Sequence, residues 1–145
     1  MSSSAVSHRF LVVDHHKESR FLLVKSLLRR FPHANIEEVE EGDAAIELAR
    51  TRELSAIITH RTREYFGTEL VEKFREVNTG VPIVMVSGIE RTAPALAAGA
   101  DRFMLYDEWL RIGTLVKDLL AEGRPSKVVH VEIATPKPRG EKFGA

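Results

Sequence analysis

Short apolar runs alternate with amphipathic stretches along most of this chain. Phe10-Leu-Val-Val13 ends in Asp14, His15 and His16, the pattern of a buried parallel strand running into a polar loop. Residues 17–31 carry Phe21, Leu22, Val24, Leu27, Leu28 and Phe31 at helical spacings, with basic residues between them, and Pro32 ends that helix. Residues 35–39 alternate weakly, as an edge strand does. Glu41-Gly42-Asp43 then offers a turn, with Asp43 as N-cap of a short helix over 44–50. Ala56-Ile-Ile-Thr59 is another buried run, ending at His60, and Gly67 and Thr68 open a helix that reaches Val77. Residues 81–86 form the clearest β run, with Pro82 tolerable only at its start, and deliver Ser87 and Gly88 to a loop. A compact helix over 94–98 leads to Arg102-Phe-Met-Leu105. Asp107 then stands as the cap of a last helix bearing Trp109, Leu110, Ile112, Leu115, Val116, Leu119 and Leu120.

Five strands alternating with five helices predict an α/β domain: a doubly wound, five-stranded parallel sheet with helices on both faces, joined by right-handed crossovers. In such sheets ligands bind beyond the carboxyl ends of the strands, where strand order reverses. The residues to inspect are therefore Asp14, His15, His16, His60, Arg61, Ser87 and Tyr106.

Composition narrows the class. With 145 residues, 43% of them hydrophobic, the chain suits one domain with a core, expected over 9–122 after a flexible arm at 1–8. Twenty-one basic residues balance twenty-one acidic ones, which removes the global charge signal of a nucleic-acid or membrane-surface binder. There is no cysteine, so disulfides and thiolate metal sites are excluded. No apolar run approaches the ~20 residues of a spanning helix, and the first residues lack a signal pattern, so a cytoplasmic location is expected.

The strand ends, together with Gly42-Asp43-Ala-Ala-Ile46, Pro82-Ile-Val-Met-Val-Ser87 and Gly99-Ala-Asp-Arg-Phe103, resemble the receiver domain of bacterial two-component response regulators over 9–122, about four-fifths of the chain. The resemblance implies the flavodoxin-like receiver fold. It also implies a pocket with an acidic pair after the first strand, a phosphoacceptor aspartate after the third, a hydroxyl after the fourth and a lysine after the fifth. Asp14 matches the first acid and Ser87 the hydroxyl. His15 stands in place of the second acid, His60 in place of the phosphoacceptor, and Tyr106 in place of the lysine, with Asp107 where proline usually follows. Phe103 matches the family's switch aromatic, although on a buried strand it reads more simply as a fixed core residue.

Replacing two carboxylates by imidazoles removes the oxygen ligands that Mg²⁺ prefers, and an acyl phosphate needs a carboxylate nucleophile. The expected function is thus that of a degenerate, stand-alone pseudo-receiver: not an enzyme, without a cofactor, acting by contact with an unidentified signalling partner or with a second copy of itself. The alternative is a metal-binding sensor or small metal-dependent hydrolase in which Asp14, His15 and His60 converge on one ion. Against that, the histidines read as rim residues bonded to loop backbone, with His15 and His16 pointing different ways, and the Ser87 hydroxyl as one that satisfies the next loop. Trp109 is either a core or an interface anchor. Beyond Glu122, residues 127–134 alternate as a candidate extra strand and the remainder is a basic, proline-rich tail. That strand or the last helix is the expected homodimer contact; neither nucleic acid nor membrane is an expected partner.

Overall fold

In the computed structural model, which describes residues 7–123, the chain runs β1 (Arg9–Val13), α1 (Lys17–Arg30), β2 (Asn35–Val39), α2 (Gly42–Thr51), β3 (Ala56–Thr59), α3 (Gly67–Val77), β4 (Ile83–Ser87), α4 (Thr92–Ala98), β5 (Arg102–Leu105), a 3-10 segment (Tyr106–Arg111) and α5 (Ile112–Glu122). The candidate strand over 127–134, the basic tail and residues 1–6 lie outside the described residues.

All strand pairs are parallel, in the order β2-β1-β3-β4-β5. Side chains alternate across the sheet, so each central strand feeds two cores. Leu11, Val13, Ile57, Ile83 and Met85 pack with Leu70, Val71 and Phe74 of α3 and Ala45 of α2. Phe10, Val12, Ile58, Val84 and Val86 pack with Leu23 and Leu27 of α1 and Val116 and Leu119 of α5. Covered on both faces, β1, β3 and β4 are buried runs, whereas the edge strand β2 keeps Asn35 and Glu38 exposed. The order reverses between β1 and β3, and the polar loops gather at that point.

Several boundaries move from their expected places, each for a long-range reason. Asp43 is not a cap: α2 starts at Gly42, whose N–H is taken by Glu64 Oε1 at 3.0 Å, and Asp43 instead accepts the Tyr65 hydroxyl at 2.6 Å. A Cβ at Gly42 would lie 2.3 Å from Tyr65 Cδ2, so this approach of the β3–α3 loop requires glycine. Asp107 does not cap the last helix either. A 3-10 segment intervenes, and the Leu110 carbonyl accepts the Ser26 hydroxyl of α1 at 3.2 Å. Trp109 packs against the α1/α5 core, while Leu110 is exposed. In α1 the buried stripe is Leu23, Ser26 and Leu27, and Phe21 and Leu28 face outward. β4 begins only at Ile83, because Pro82 has no N–H for a ladder.

Candidate functional site

β1 and β3 lie side by side, and the ladder bond from His60 N–H to the Val13 carbonyl (2.8 Å) brings Asp14 and His60 out at the same end of the sheet. Asp14 is wholly buried, and both its carboxylate oxygens are engaged. Oδ1 accepts the His16 N–H at 2.9 Å, while Oδ2 accepts the Ser19 hydroxyl and meets His60 Nδ1 at 3.2 Å. Burial pushes the Asp14 carboxyl upward, but the hydrogen bonds from His60, Ser19 and the His16 amide, with the charge attraction of His60, together hold it below the ordinary aspartate value.

That sign fixes a pH dependence. A carboxyl lowered on folding contributes stability that is present above its unfolded value, 3.8, and is lost as pH falls through the lower folded value. Urea denaturation at descending pH is expected to show a steeper loss of stability below about pH 4 for the native chain than for Asp14→Asn, which has no carboxylate to protonate. Parallel acid limbs for the two proteins would contradict this.

The other pocket positions divide clearly. His60, expected as a rim residue on loop backbone, has only 16% of its side chain exposed, bonds a carboxylate and stacks on Tyr106 with ring planes 6° apart and centroids 6.3 Å apart. Tyr106 thus covers His60 from the position of the expected lysine, and burial together with the Asp14 charge raises its hydroxyl above the usual tyrosine range, leaving it protonated and neutral. His15 does keep to loop backbone: its Nδ1 lies 3.3 Å from the Arg61 carbonyl. Its ring also lies against that of His16, at 4.1 Å between centroids and tilted by 39°, so the two do not diverge. Ser87 Oγ accepts the Ile89 N–H at 3.2 Å, the loop role expected of a strand-end hydroxyl. Phe103, half-buried opposite Met85, packs on the α2/α3 core.

These positions do not make the three-ligand metal site. His15 is turned to a carbonyl, leaving Asp14 and His60 together without it, and among the described residues no three His, Cys, Asp or Glu side chains are grouped to hold a metal ion. Nor does this donor set fit the Mg²⁺ of a receiver pocket. A hard ion needs several free oxygens, and the one carboxylate retained at the pocket's expected acidic positions is already saturated by internal donors.

Two contributors were not legible beforehand. Ser19, in the first turn of α1, supplies a hydroxyl to Asp14; Arg20 donates to the Asp14 carbonyl at 2.7 Å while pairing with Glu38 at 3.2 Å and lying 3.8 Å from Glu40. The only hint in the sequence is a serine and an arginine at the start of a helix that follows a strand-end acid.

Beside this pair opens a cavity of about 600 Å³, lined by His16, His60, Arg61, Phe66, Gly67, Thr68, Met85, Val86, Ser87, Gly88, Ile89 and Arg91.

No protein-family model and no curated protein matches the sequence. Solved structures do match. The signal receiver domain of a putative response regulator, NarL, from Mycobacterium tuberculosis superposes with a TM-score of 0.69 at 24% identity, over 81% of this chain and 98% of that one. The chain has the receiver fold. A LuxR-family two-component response regulator from Aurantimonas gives 0.70 at 18% identity, over 82% of this chain and 89% of that one. A response regulator receiver domain protein from Methanospirillum hungatei gives 0.65 at 20%, over 81% and 100%. The receiver fold places Asp14, His60, Ser87 and Tyr106 at the ends of the strands expected to carry its pocket.

Proposed function

We propose that this chain is a pseudo-receiver, a signalling module of the two-component type that acts through protein contacts and is not switched by aspartyl phosphorylation. The observation that carries the reading is the part-buried bond between Asp14 and His60. At the phosphoacceptor position stands an imidazole whose Nδ1 is committed to Asp14, and the ring stacked on it is a neutral phenol in the place of the lysine that would stabilise charge in transfer. Asp14 is no substitute nucleophile, because it ends β1 and its oxygens are occupied.

The contact surface has candidates. Leu96 on α4 and Leu110 in the 3-10 segment, in elements on either side of edge strand β5, are 47% and 61% exposed, an apolar presentation suited to a protein partner. The solved neighbours described as response regulators support the signalling class. A thermal melt with Mg²⁺ and beryllofluoride, a stable mimic of the acyl phosphate, is expected to leave the transition where it was. A rise in Tm that requires both reagents would contradict the reading.

A further inference from the structure

The cavity next to the Asp14–His60 pair differs in charge from a pocket built around a metal ion and an acyl phosphate. Its lining contains two arginines and two histidines and not one carboxylate. Arg61 and Arg91 have no side-chain hydrogen bond or ion pair among the described residues. Three acids close in sequence to the arginines or to α3 are engaged elsewhere: Glu64 accepts the Gly42 N–H at 3.0 Å, Glu69 the Phe66 N–H at 2.8 Å, and Glu90 the Thr92 N–H at 2.7 Å. Asp14, just behind His60, has its oxygens turned to internal donors.

Hydrogen-bond donors add to that charge. They do not include His60 in its neutral form, because Nδ1 is spent on Asp14 and an unprotonated Nε2 is an acceptor. Ser87 Oγ accepts from Ile89, which leaves its own O–H free to donate. Gly67 and Thr68, the first residues of the eleven-residue α3, also line the cavity. The remaining wall is apolar: Met85 is buried at the base, whereas Phe66 and Ile89 are 71% and 57% exposed although both border the cavity. About 600 Å³ falls within the range of small-molecule sites.

We infer that this cavity is a reversible, metal-independent binding site for a small organic phosphomonoester with an aromatic or apolar body. Arg61, Arg91 and Ser87 take the phosphate, and Phe66, Met85 and Ile89 take the body. Arginine is the residue suited to a phosphate held by forked, charge-assisted bonds. The ligand replaces covalent phosphorylation as what occupies the crevice, so the inference rests on the pseudo-receiver reading for its meaning but not for its measurement.

The test titrates full-length protein, in excess EDTA, with phenyl phosphate, adenosine 5′-monophosphate, inorganic phosphate and phenol, followed by ¹H–¹⁵N NMR and calorimetry. At least one of the two monoesters is expected to shift the amides of Gly67, Thr68, Ser87 and Gly88 and to bind about tenfold or more tightly than inorganic phosphate or phenol. Arg61→Gln and Arg91→Gln are each expected to weaken that binding about tenfold, the value of one charge-assisted contact, with the spectrum otherwise preserved. Failure of both monoesters at millimolar concentration would overturn the inference, as would binding that both variants leave unchanged. Because EDTA removes any Mg²⁺, covalent phosphorylation of the chain would defeat the pseudo-receiver reading without producing or abolishing this signal.

Discussion

Asp101→Ala is expected to cost about 3 kcal/mol of folding stability, a large share of what a domain of this size commonly has. Asp101 sits where the α4–β5 turn meets the sheet, with 4% of its side chain exposed. Its Oδ2 accepts both the Ile83 N–H at 2.9 Å and the Arg75 guanidinium at 3.0 Å. Arg75 in turn donates to the carbonyls of Gly99 (2.8 Å), Val81 (2.6 Å) and Asn78 (3.2 Å), and so ties α3 to the starts of β4 and β5. Gly99 has φ of +121°, and a Cβ there would meet Arg75 Cγ at 2.7 Å. Removing the carboxylate takes the Asp101 charge from a mostly buried cation and the acceptor from the Ile83 N–H, which is why the loss exceeds that of a surface ion pair. Asp101→Asn, which keeps an acceptor for Ile83, is expected to fall between the native chain and Asp101→Ala in urea denaturation. A loss below about 1 kcal/mol for Asp101→Ala would show that the cluster relaxes rather than braces the sheet.

The second large effect is a gain. A triple variant, His15→Asp, His60→Asp and Tyr106→Lys, is expected to bind Mg²⁺ where the native chain does not. Asp14 and residue 60 leave adjacent strands whose preceding residues, Val13 and Thr59, are in register, so a carboxylate at 60 would stand beside the buried one at 14. Without a cation those charges repel and the triple variant should melt below the native protein. With Mg²⁺ at a hundred times its dissociation constant the variant should recover about 2.7 kcal/mol by mass action. The substitution at 15 must also turn its side chain away from the Arg61 carbonyl that His15 faces. A folded triple variant whose melting ignores Mg²⁺ would show that the loops no longer hold a receiver geometry.

Strand positions and their order in the chain were legible because β1, β3 and β4 are covered on both faces and so read as unbroken apolar runs. Helix starts were less so, because the groups that satisfy them come from afar. Gly42 N–H finds Glu64, and the Leu110 carbonyl finds Ser26, neither of which local spacing reveals. Which apolar residues of α1 are buried was not legible for a related reason. Phe21 is outside, with Lys25 Nζ 5.7 Å from its ring centroid, and only the packing of α1 on α5 selects Leu23 and Leu27 for burial. In the site, the strand-end positions of Asp14, His60, Ser87 and Tyr106 followed from topology, whereas the direction of each side chain did not. His15 and His60 are the same residue type at the same end of the sheet. One ring faces a backbone carbonyl and the other a carboxylate, a difference set by which loop lies across each.

Aspartyl phosphorylation of this pocket is checked by incubating native protein with acetyl phosphate and Mg²⁺ and recording its intact mass before and after hydroxylamine. The mass is expected to stay unmodified throughout. A stoichiometric phosphoryl adduct that hydroxylamine removes would place a reactive carboxylate in the chain and contradict the pseudo-receiver reading.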